Sequence, residues 1–169
     1  MWFDMRKVDL DFIGVAARTY VAECDLASSR QDVWAAFVDP STWRNWWPGV
    51  ESASYGDAGK PYGVGTFRQA TVGRQRYEEF IVVWEEGRKW AYYIHRASVP
   101  IATAQLECTE LEDHGSGTRV RWTLAQDPRL LMRLLGPIFP RIMRALLRKA
   151  MRNLDRHIAA SKAAREQGR

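Results

Sequence analysis

The chain has 169 residues, enough to bury a substantial core, and this length is typical of one domain. Its apolar runs are shorter than the roughly 18 residues of a membrane-spanning helix, and its N-terminus lacks the apolar core of a signal peptide, so we expect a cytoplasmic location. Its two cysteines have no CxxC spacing, which argues against a disulfide framework or a zinc site, and we expect no metal and no cofactor.

The positive charge of the chain is concentrated near its C-terminus. Residues 129–169 contain nine arginines and two lysines against two acidic residues, a net charge of +9, whereas residues 1–128 carry a net charge of −4. A positive field at one end suits an anionic partner such as a phospholipid surface or nucleic acid. The alternative is a solvated surface without a partner.

The first 25 residues predict two strands. Val8, Leu10 and Phe12 alternate with charged residues, which favours a short edge strand. Residues 14–25 interleave threonine, tyrosine and valine with polar residues, which predicts the first strand of the main sheet.

Residues 27–50 predict two short helices. Ser29 precedes a short apolar stripe and can cap its N-terminus, and the helix ends at Asp39 because the residue before a proline avoids the α region. Ser41 can cap a second helix rich in tryptophan, which ends at Pro48.

Six further strands are predicted before residue 126, mostly with short turns between them. Short connections favour antiparallel neighbours, because a parallel pair needs a crossover of about a dozen residues. In the last strand Val120, Trp122 and Leu124 alternate with polar residues, which is typical of a sheet with one covered and one solvated face. The predicted strands cover residues 50–55, 65–72, 76–84, 89–96, 101–111 and 118–125.

The C-terminal region predicts a long amphipathic helix over residues 140–161. Met143, Leu147, Met151 and Leu154 recur at three- and four-residue spacing, so they share one side of a helix about 33 Å long. Such a helix needs a broad apolar surface, and the covered face of the predicted sheet supplies one. Five arginines lie away from the apolar side: Arg141, Arg144, Arg148, Arg152 and Arg156.

Three stretches carry a resemblance to a known family. Residues 27–40 read ASSRQDVWAAFVDP and residues 43–50 read WRNWWPGV, while residues 117–122 read GTRVRW. In these motifs the chain resembles the START-like (SRPBCC, Bet v 1-like) superfamily with the helix-grip fold, in particular its polyketide cyclase/dehydrase and lipid-transport branch. The resemblance runs over about residues 16–160.

The resemblance implies an α+β fold. A curved seven-stranded antiparallel sheet would wrap around the long C-terminal helix, with two short helices between strands 1 and 2. We expect one domain over residues 1–169, with its core at about 14–162 and peripheral segments at 1–13 and 163–169.

The resemblance also implies a cavity between sheet and helix for an apolar or amphipathic small molecule. We therefore expect binding or transport of a hydrophobic ligand, a lipid or a polyketide-like compound. One alternative is a metal-free enzyme of the polyketide aromatase/cyclase or dehydratase type. A second alternative is an interaction protein that uses the basic helix on anionic lipid or RNA.

Side chains that face the space between sheet and helix would contact such a ligand. The paired tryptophans at the end of the second short helix fall where helices and sheet join, and methionines on the long helix can adapt to varied ligand shapes. The candidate ligand-binding residues are Trp46, Trp47, Arg68, Tyr92, Tyr93, Trp122, Met143, Leu147 and Met151.

Three residues are candidates for proton transfer in the enzyme alternative: His95, Glu79 and Tyr92. The strand around His95 leaves two orientations open, because either the even-numbered or the odd-numbered residues from 90 to 95 can face inward.

An acidic pair, Glu78 and Glu79, lies between apolar residues of one strand, so one of the two must face inward. A carboxylate inside a cavity needs a partner, and Arg68 or Arg76 is placed to supply it. The resulting pair would either orient a substrate or form a structural salt bridge.

Residues 130–140 depart from the family pattern, because a glycine and two prolines interrupt what would otherwise be one helix. The leucine-rich piece before them would form a separate short helix, apolar over most of its circumference. We expect either a lid over the cavity entrance or a helix packed in the core. The candidate lid residues are Leu131, Leu134, Leu135, Gly136 and Pro137.

The arginine row of the last helix allows three interpretations: a solvated face, contact with an anionic membrane, or contact with nucleic acid. Basic residues near an anionic bilayer contribute about 1 kcal/mol each. The row lacks interleaved aromatic residues and any known nucleic-acid module, so nucleic acid is not expected as a partner.

Overall fold

The computed structural model describes residues 1–56, 59–134, 136 and 138–167. An antiparallel sheet forms the centre of this part of the chain, with strand order β2-β8-β7-β6-β5-β4-β3, and β1 pairs with β6. The strands are β1 (Phe3–Asp4), β2 (Arg18–Leu26), β3 (Val50–Ser54), β4 (Phe67–Val72), β5 (Gln75–Glu85), β6 (Lys89–Ala97), β7 (Ala102–His114) and β8 (Gly117–Pro128).

The helices flank this sheet. Ser29 caps α2 by accepting a hydrogen bond from the backbone N–H of Asp32. The last helix begins one residue before the predicted start and continues to Gln167, because the residues after Ser161 are good helix formers without a proline or glycine. The helices are α1 (Phe12–Val15), α2 (Arg30–Val38), a 3₁₀ turn (Pro40–Thr42), α3 (Trp43–Trp46), α4 (Leu130–Leu134) and α5 (Phe139–Gln167).

This arrangement is the predicted helix-grip α+β fold. Helix α5 packs against β2, α2 and α3, and it buries one stripe of side chains, namely Leu147, Ala150, Met151, Leu154 and Ile158. Three hydrogen bonds attach the helix to the chain just after β2. The Asp155 carboxylate accepts them from the backbone N–H groups of Ala27 (3.0 Å) and Ser28 (3.1 Å) and from the Ser28 hydroxyl (2.7 Å). No helix in the part of the chain described here is long and apolar enough to cross a bilayer.

The N-terminal segment differs from the prediction. The strand expected around Val8 and Phe12 is wrong, and the only strand here pairs Phe3 and Asp4 with the end of β6. Val8 and Phe12 are buried instead against the outer face of the sheet, in a cluster with Ala91, Tyr93, Ala104, Leu106, Cys108 and Ala125. Phe12 lies at the start of α1, whereas Val8 lies in the irregular segment before it. The central strands are therefore covered on both faces.

Candidate functional site

A cavity of about 390 Å³ lies between the inner face of the sheet and the helices. Apolar residues line it from both the helical side and the sheet side. Helix α5 supplies Phe139, Met143 and Leu146, and α4 supplies Met132. The short helices and the residue that follows α3 add Phe37, Trp43 and Trp47.

The sheet side of the cavity is more polar than the helical side. Alternate residues of β5 to β8 point inward, and several of these residues are polar. Apolar and aromatic side chains such as Trp90, Trp122 and Leu124 are interspersed among them. The polar residues that line the cavity are Gln75, Tyr77, Glu79, Tyr92, Gln105, Glu107, Thr109 and Gln126.

A buried ion pair lies beside the cavity. Arg68 on β4 stands directly opposite Glu79 on β5, and their side chains form a salt bridge. The Arg68 side chain is 0% exposed, and its Cζ lies 4.5 Å, 4.6 Å and 4.1 Å from the ring centres of Trp43, Trp90 and Tyr92. Of the two arginines that the sequence offered to Glu79, the structure pairs it with Arg68. Glu78 points to the other face, where it pairs with Arg96.

Burial controls the ionisation of the groups in this cavity. It raises the pKa of Glu79, while the positive charge of Arg68 opposes the rise. Burial, reinforced by the negative charge of Glu107, raises the pKa of Tyr92 well above its usual value and that of Tyr77 to about 12. Both phenols are therefore neutral hydrogen-bond donors at neutral pH.

Glu107 is the centre of a hydrogen-bond network inside the cavity. Its Oε2 accepts from the Tyr92 hydroxyl at 2.6 Å and from the Trp122 Nε1 at 3.1 Å. Its Oε1 accepts from the Gln105 Nε2 at 3.1 Å. Three neutral donors from three strands hold this carboxylate in one orientation.

The structure brings together only part of the predicted ligand-binding set. Trp47, Tyr92, Trp122 and Met143 line the cavity. The other residues of the set do not line it: Trp46, Arg68, Tyr93, Leu147 and Met151.

The helical residues of the set that miss the cavity are core residues. Trp46 is 1% exposed and packs edge-on against Phe37 and Trp43, so it anchors the core while its neighbour Trp47 lines the cavity. Leu147 and Met151 lie farther along α5 than the cavity wall and belong to the main core.

The orientation of β6 corrects two predictions. Trp90, Tyr92 and Ile94 line the cavity, so Tyr93 and His95 point to the opposite face. The Tyr93 ring stacks on Phe80, and the His95 ring meets Phe80 edge-on with 5.5 Å between ring centres. An inward His95 that transfers protons in the cavity is therefore excluded by this geometry.

Of the predicted lid residues, Leu131 and Leu134 lie in α4, and Gly136 lies in a turn after it. Gly136 is buried, whereas Leu134 is 73% exposed, and Met132 is the α4 residue that lines the cavity. Leu135, Pro137 and the Leu131 side chain lie outside the part of the chain that the structure describes. The role of α4 as a lid stays a prediction.

Reasoning from the sequence missed the polar row of β7. Gln105, Glu107 and Thr109 alternate with Leu106 and Cys108, and this alternation was visible in the sequence. An ordinary one-sided sheet would place the polar row toward solvent. Here the N-terminal segment covers the apolar row, so the polar row faces the cavity.

An antiparallel sheet that closes over a long C-terminal helix and leaves a cavity between them defines the class of helix-grip α+β domains. Residues 18–159 match the family model described as polyketide cyclase / dehydrase and lipid transport, and the chain belongs to this family.

Other proteins match this chain in sequence or in fold. An uncharacterised protein of Mycobacterium tuberculosis, Rv2574, is 27% identical over 173 residues, which cover 98% of this chain and 99% of that protein. The structure of XoxI from Bacillus cereus has a TM-score of 0.66 at 15% identity, over 85% of this chain and 97% of that one. A START superfamily protein from Mycobacterium smegmatis has a TM-score of 0.60 at 13% identity, over 80% of this chain and 98% of that one. At these identities the two structures show the fold alone.

Proposed function

We propose that this protein binds an apolar or amphipathic small molecule, of the lipid or polyketide-like kind, in the cavity under α5. The observation that carries the proposal is the cavity itself, whose 390 Å³ lie within the range of small-molecule sites. Apolar residues line the cavity on both sides, and polar groups line it on the sheet side alone, which suits a ligand with an apolar body and a polar end. Native mass spectrometry of freshly purified protein would detect a retained ligand, and titration with a panel of lipids and aromatic polyketides would identify one that binds.

A variant that narrows the cavity should weaken binding. Leu146 lines the cavity from α5, and Leu146→Trp places a larger ring in the space that the ligand would occupy. We expect the dissociation constant of a bound panel ligand to rise by about tenfold or more, as for other steric changes in pockets. The neighbouring Ala145 is exposed on the same helix, so Ala145→Trp is the matched control. Equal affinity in the two variants would contradict binding in this cavity.

An enzyme of the cyclase or dehydratase type is the second candidate, and one observation favours it. Glu79 and Tyr92, two of the three predicted proton-transfer residues, both line the cavity, and Tyr92 donates a hydrogen bond to Glu107. A buried carboxyl group with a raised pKa can act as a general acid or base. Turnover of a polyketide substrate that is lost in Tyr92→Phe while binding persists would support this candidate.

Contact with an anionic membrane is proposed for the region around α4 and the start of α5. Residues 129–154 contain seven basic residues and no acidic one. Arg133, Arg141 and Arg144 are exposed there. Four large apolar side chains in the same region are more than half exposed: Leu130, Leu134, Ile138 and Ile142. Apolar groups beside cations suit the headgroup region of an anionic bilayer.

Reversing two arginines in this region should weaken membrane binding strongly. We expect Arg141→Glu with Arg144→Glu to lower the affinity for phosphatidylserine-containing vesicles about 30-fold or more, because each basic residue contributes about 1 kcal/mol near the surface. Sedimentation of the protein with the vesicles measures this affinity. Arg152→Glu with Arg156→Glu makes the same charge change farther along α5 and should have a much smaller effect. Equal losses in both double variants would show that the apolar patch does not direct the contact.

A further inference from the structure

The charge of the cavity lining restricts which polar end a ligand can carry. Among the described residues that line the cavity there are two carboxylates, Glu79 and Glu107, and no lysine, arginine or histidine. Arg68 neutralises Glu79, but it lies outside the lining and is enclosed by aromatic rings. The cavity therefore presents negative charge without a cation to its occupant, together with one buried donor, the Trp90 Nε1, that has no hydrogen-bond partner among the described residues.

Glu107 is the carboxylate without a cation. Its hydrogen bonds come from a phenol, an indole and an amide, none of which carries a positive charge. No ion pair joins it to a basic residue in the part of the chain that the structure describes. Its negative charge adds to the rise in the pKa of Tyr92 and of Glu79, although burial is the larger cause in both cases.

The network also leaves acceptor capacity unused. A carboxylate offers about four lone-pair positions, and the described contacts of Glu107 occupy three of them. The side chain of Gln126, which is 2% exposed, also lines the cavity. A ligand that brings an O–H or N–H group can donate to Glu107, and the Gln126 amide can accept or donate. A ligand carboxylate would instead face Glu107 without a cation to separate them.

We propose that this cavity selects apolar molecules whose polar end is a hydrogen-bond donor, such as a hydroxyl, a phenol or a protonated amine, and rejects the corresponding carboxylates, with Glu107 as the specificity-determining residue. This inference rests on the proposed function and deepens it, because it names the class of ligand. It favours neutral hydroxylated or phenolic compounds and amines over fatty acids and other anionic amphiphiles.

Three ligands with the same naphthalene body test the inference: 2-naphthol, 2-naphthylmethylamine and 2-naphthoate. Isothermal titration calorimetry at neutral pH should show the phenol, the amine or both binding to the wild-type protein about tenfold or more tightly than the carboxylate, the scale of discrimination expected when a buried polar group meets the wrong partner. Binding of the carboxylate as tight as that of the phenol and the amine would overturn the inference but leave the proposed function intact. Failure of all three to bind would count against both.

The variant Glu107→Gln assigns the selectivity to one side chain. It removes the charge and keeps the volume, and the Gln105 amide can rotate by a half-turn so that its oxygen accepts from the new amide group. We expect naphthoate to bind this variant about tenfold more tightly than the wild type. Glu112→Gln makes the same charge change on the exposed end of β7 and should leave the preference unchanged. An unchanged preference in Glu107→Gln would overturn the role of Glu107, and the wild-type comparison stands even if this variant fails to fold.

Discussion

Replacing Arg68 with methionine is expected to lower the free energy of unfolding by about 3–5 kcal/mol, because it leaves the Glu79 carboxylate buried without a cation. The guanidinium also fills the space between Trp43, Trp90 and Tyr92, which a methionine fills only in part. Urea denaturation followed by far-UV circular dichroism measures the loss. The double variant Arg68→Met/Glu79→Leu should recover much of it, because removing both charges is far less costly than stranding one.

The pH dependence of the stability of Arg68→Met tests whether the unpaired Glu79 carboxylate causes the loss. Burial already raises the pKa of Glu79 in the folded protein, and removing Arg68 takes away the charge that opposes the rise. The folded state therefore holds the proton more tightly than the unfolded state, so the penalty is small below the unfolded pKa and grows as the pH rises through the folded pKa. The difference in stability between Arg68→Met and Arg68→Met/Glu79→Gln should accordingly shrink as the pH is lowered from about 8 to about 5. A difference that is constant with pH would show that Glu79 is not the cause.

Gly117→Ala is expected to destabilise the protein by about 3 kcal/mol or more, at the upper end of the cost of overpacking. A Cβ at this position would lie 2.0 Å from the carbonyl oxygen of Leu26 and 3.2 Å from the Cα of Ala27. These are backbone atoms at the end of β2, and they cannot turn aside as a flexible side chain would. Thermal unfolding would show the loss as a large fall in Tm.

Gly115 in the same hairpin separates crowding from backbone strain. It has φ +60°, and nothing lies within 4 Å of the Cβ that would be added. Gly115→Ala should therefore cost only the left-handed conformation, about 1–2 kcal/mol. If Gly115→Ala were as destabilising as Gly117→Ala, the close approach to Leu26 would not explain the glycine.

The close contacts at Gly117 explain why the GTRVRW motif predicted the fold. The first residue of the GTRVRW stretch must be a glycine because β8 passes directly over the backbone where β2 ends. Ser29 likewise serves a local structural need, because its side chain caps α2. Local rules of this kind are visible in the sequence, so the strands from β2 onward, the helices α2 and α3 and the start of the long helix were predictable within a few residues.

The candidate site was less predictable because its residues come from distant elements. Arg68 sits in a short strand that reads FRQATV, and nothing in these letters shows that rings from α3 and β6 enclose it. The orientation of β6 was left open because both of its faces carry aromatic residues. Which face turns inward depends on the covering of the outer face by Val8 and Phe12, a long-range contact that periodicity does not record.

The same outer-face packing has a practical consequence for shortened versions of the chain. The family match spans residues 18–159, and a fragment cut to those bounds would lose the segment that shields Tyr93, Leu106 and Ala125. An apolar patch would then be exposed on the face of the sheet away from the cavity, where it would favour self-association. Poor solubility of such a fragment would reflect this missing cover rather than a defect of the ligand site, so recombinant work should retain the first seventeen residues.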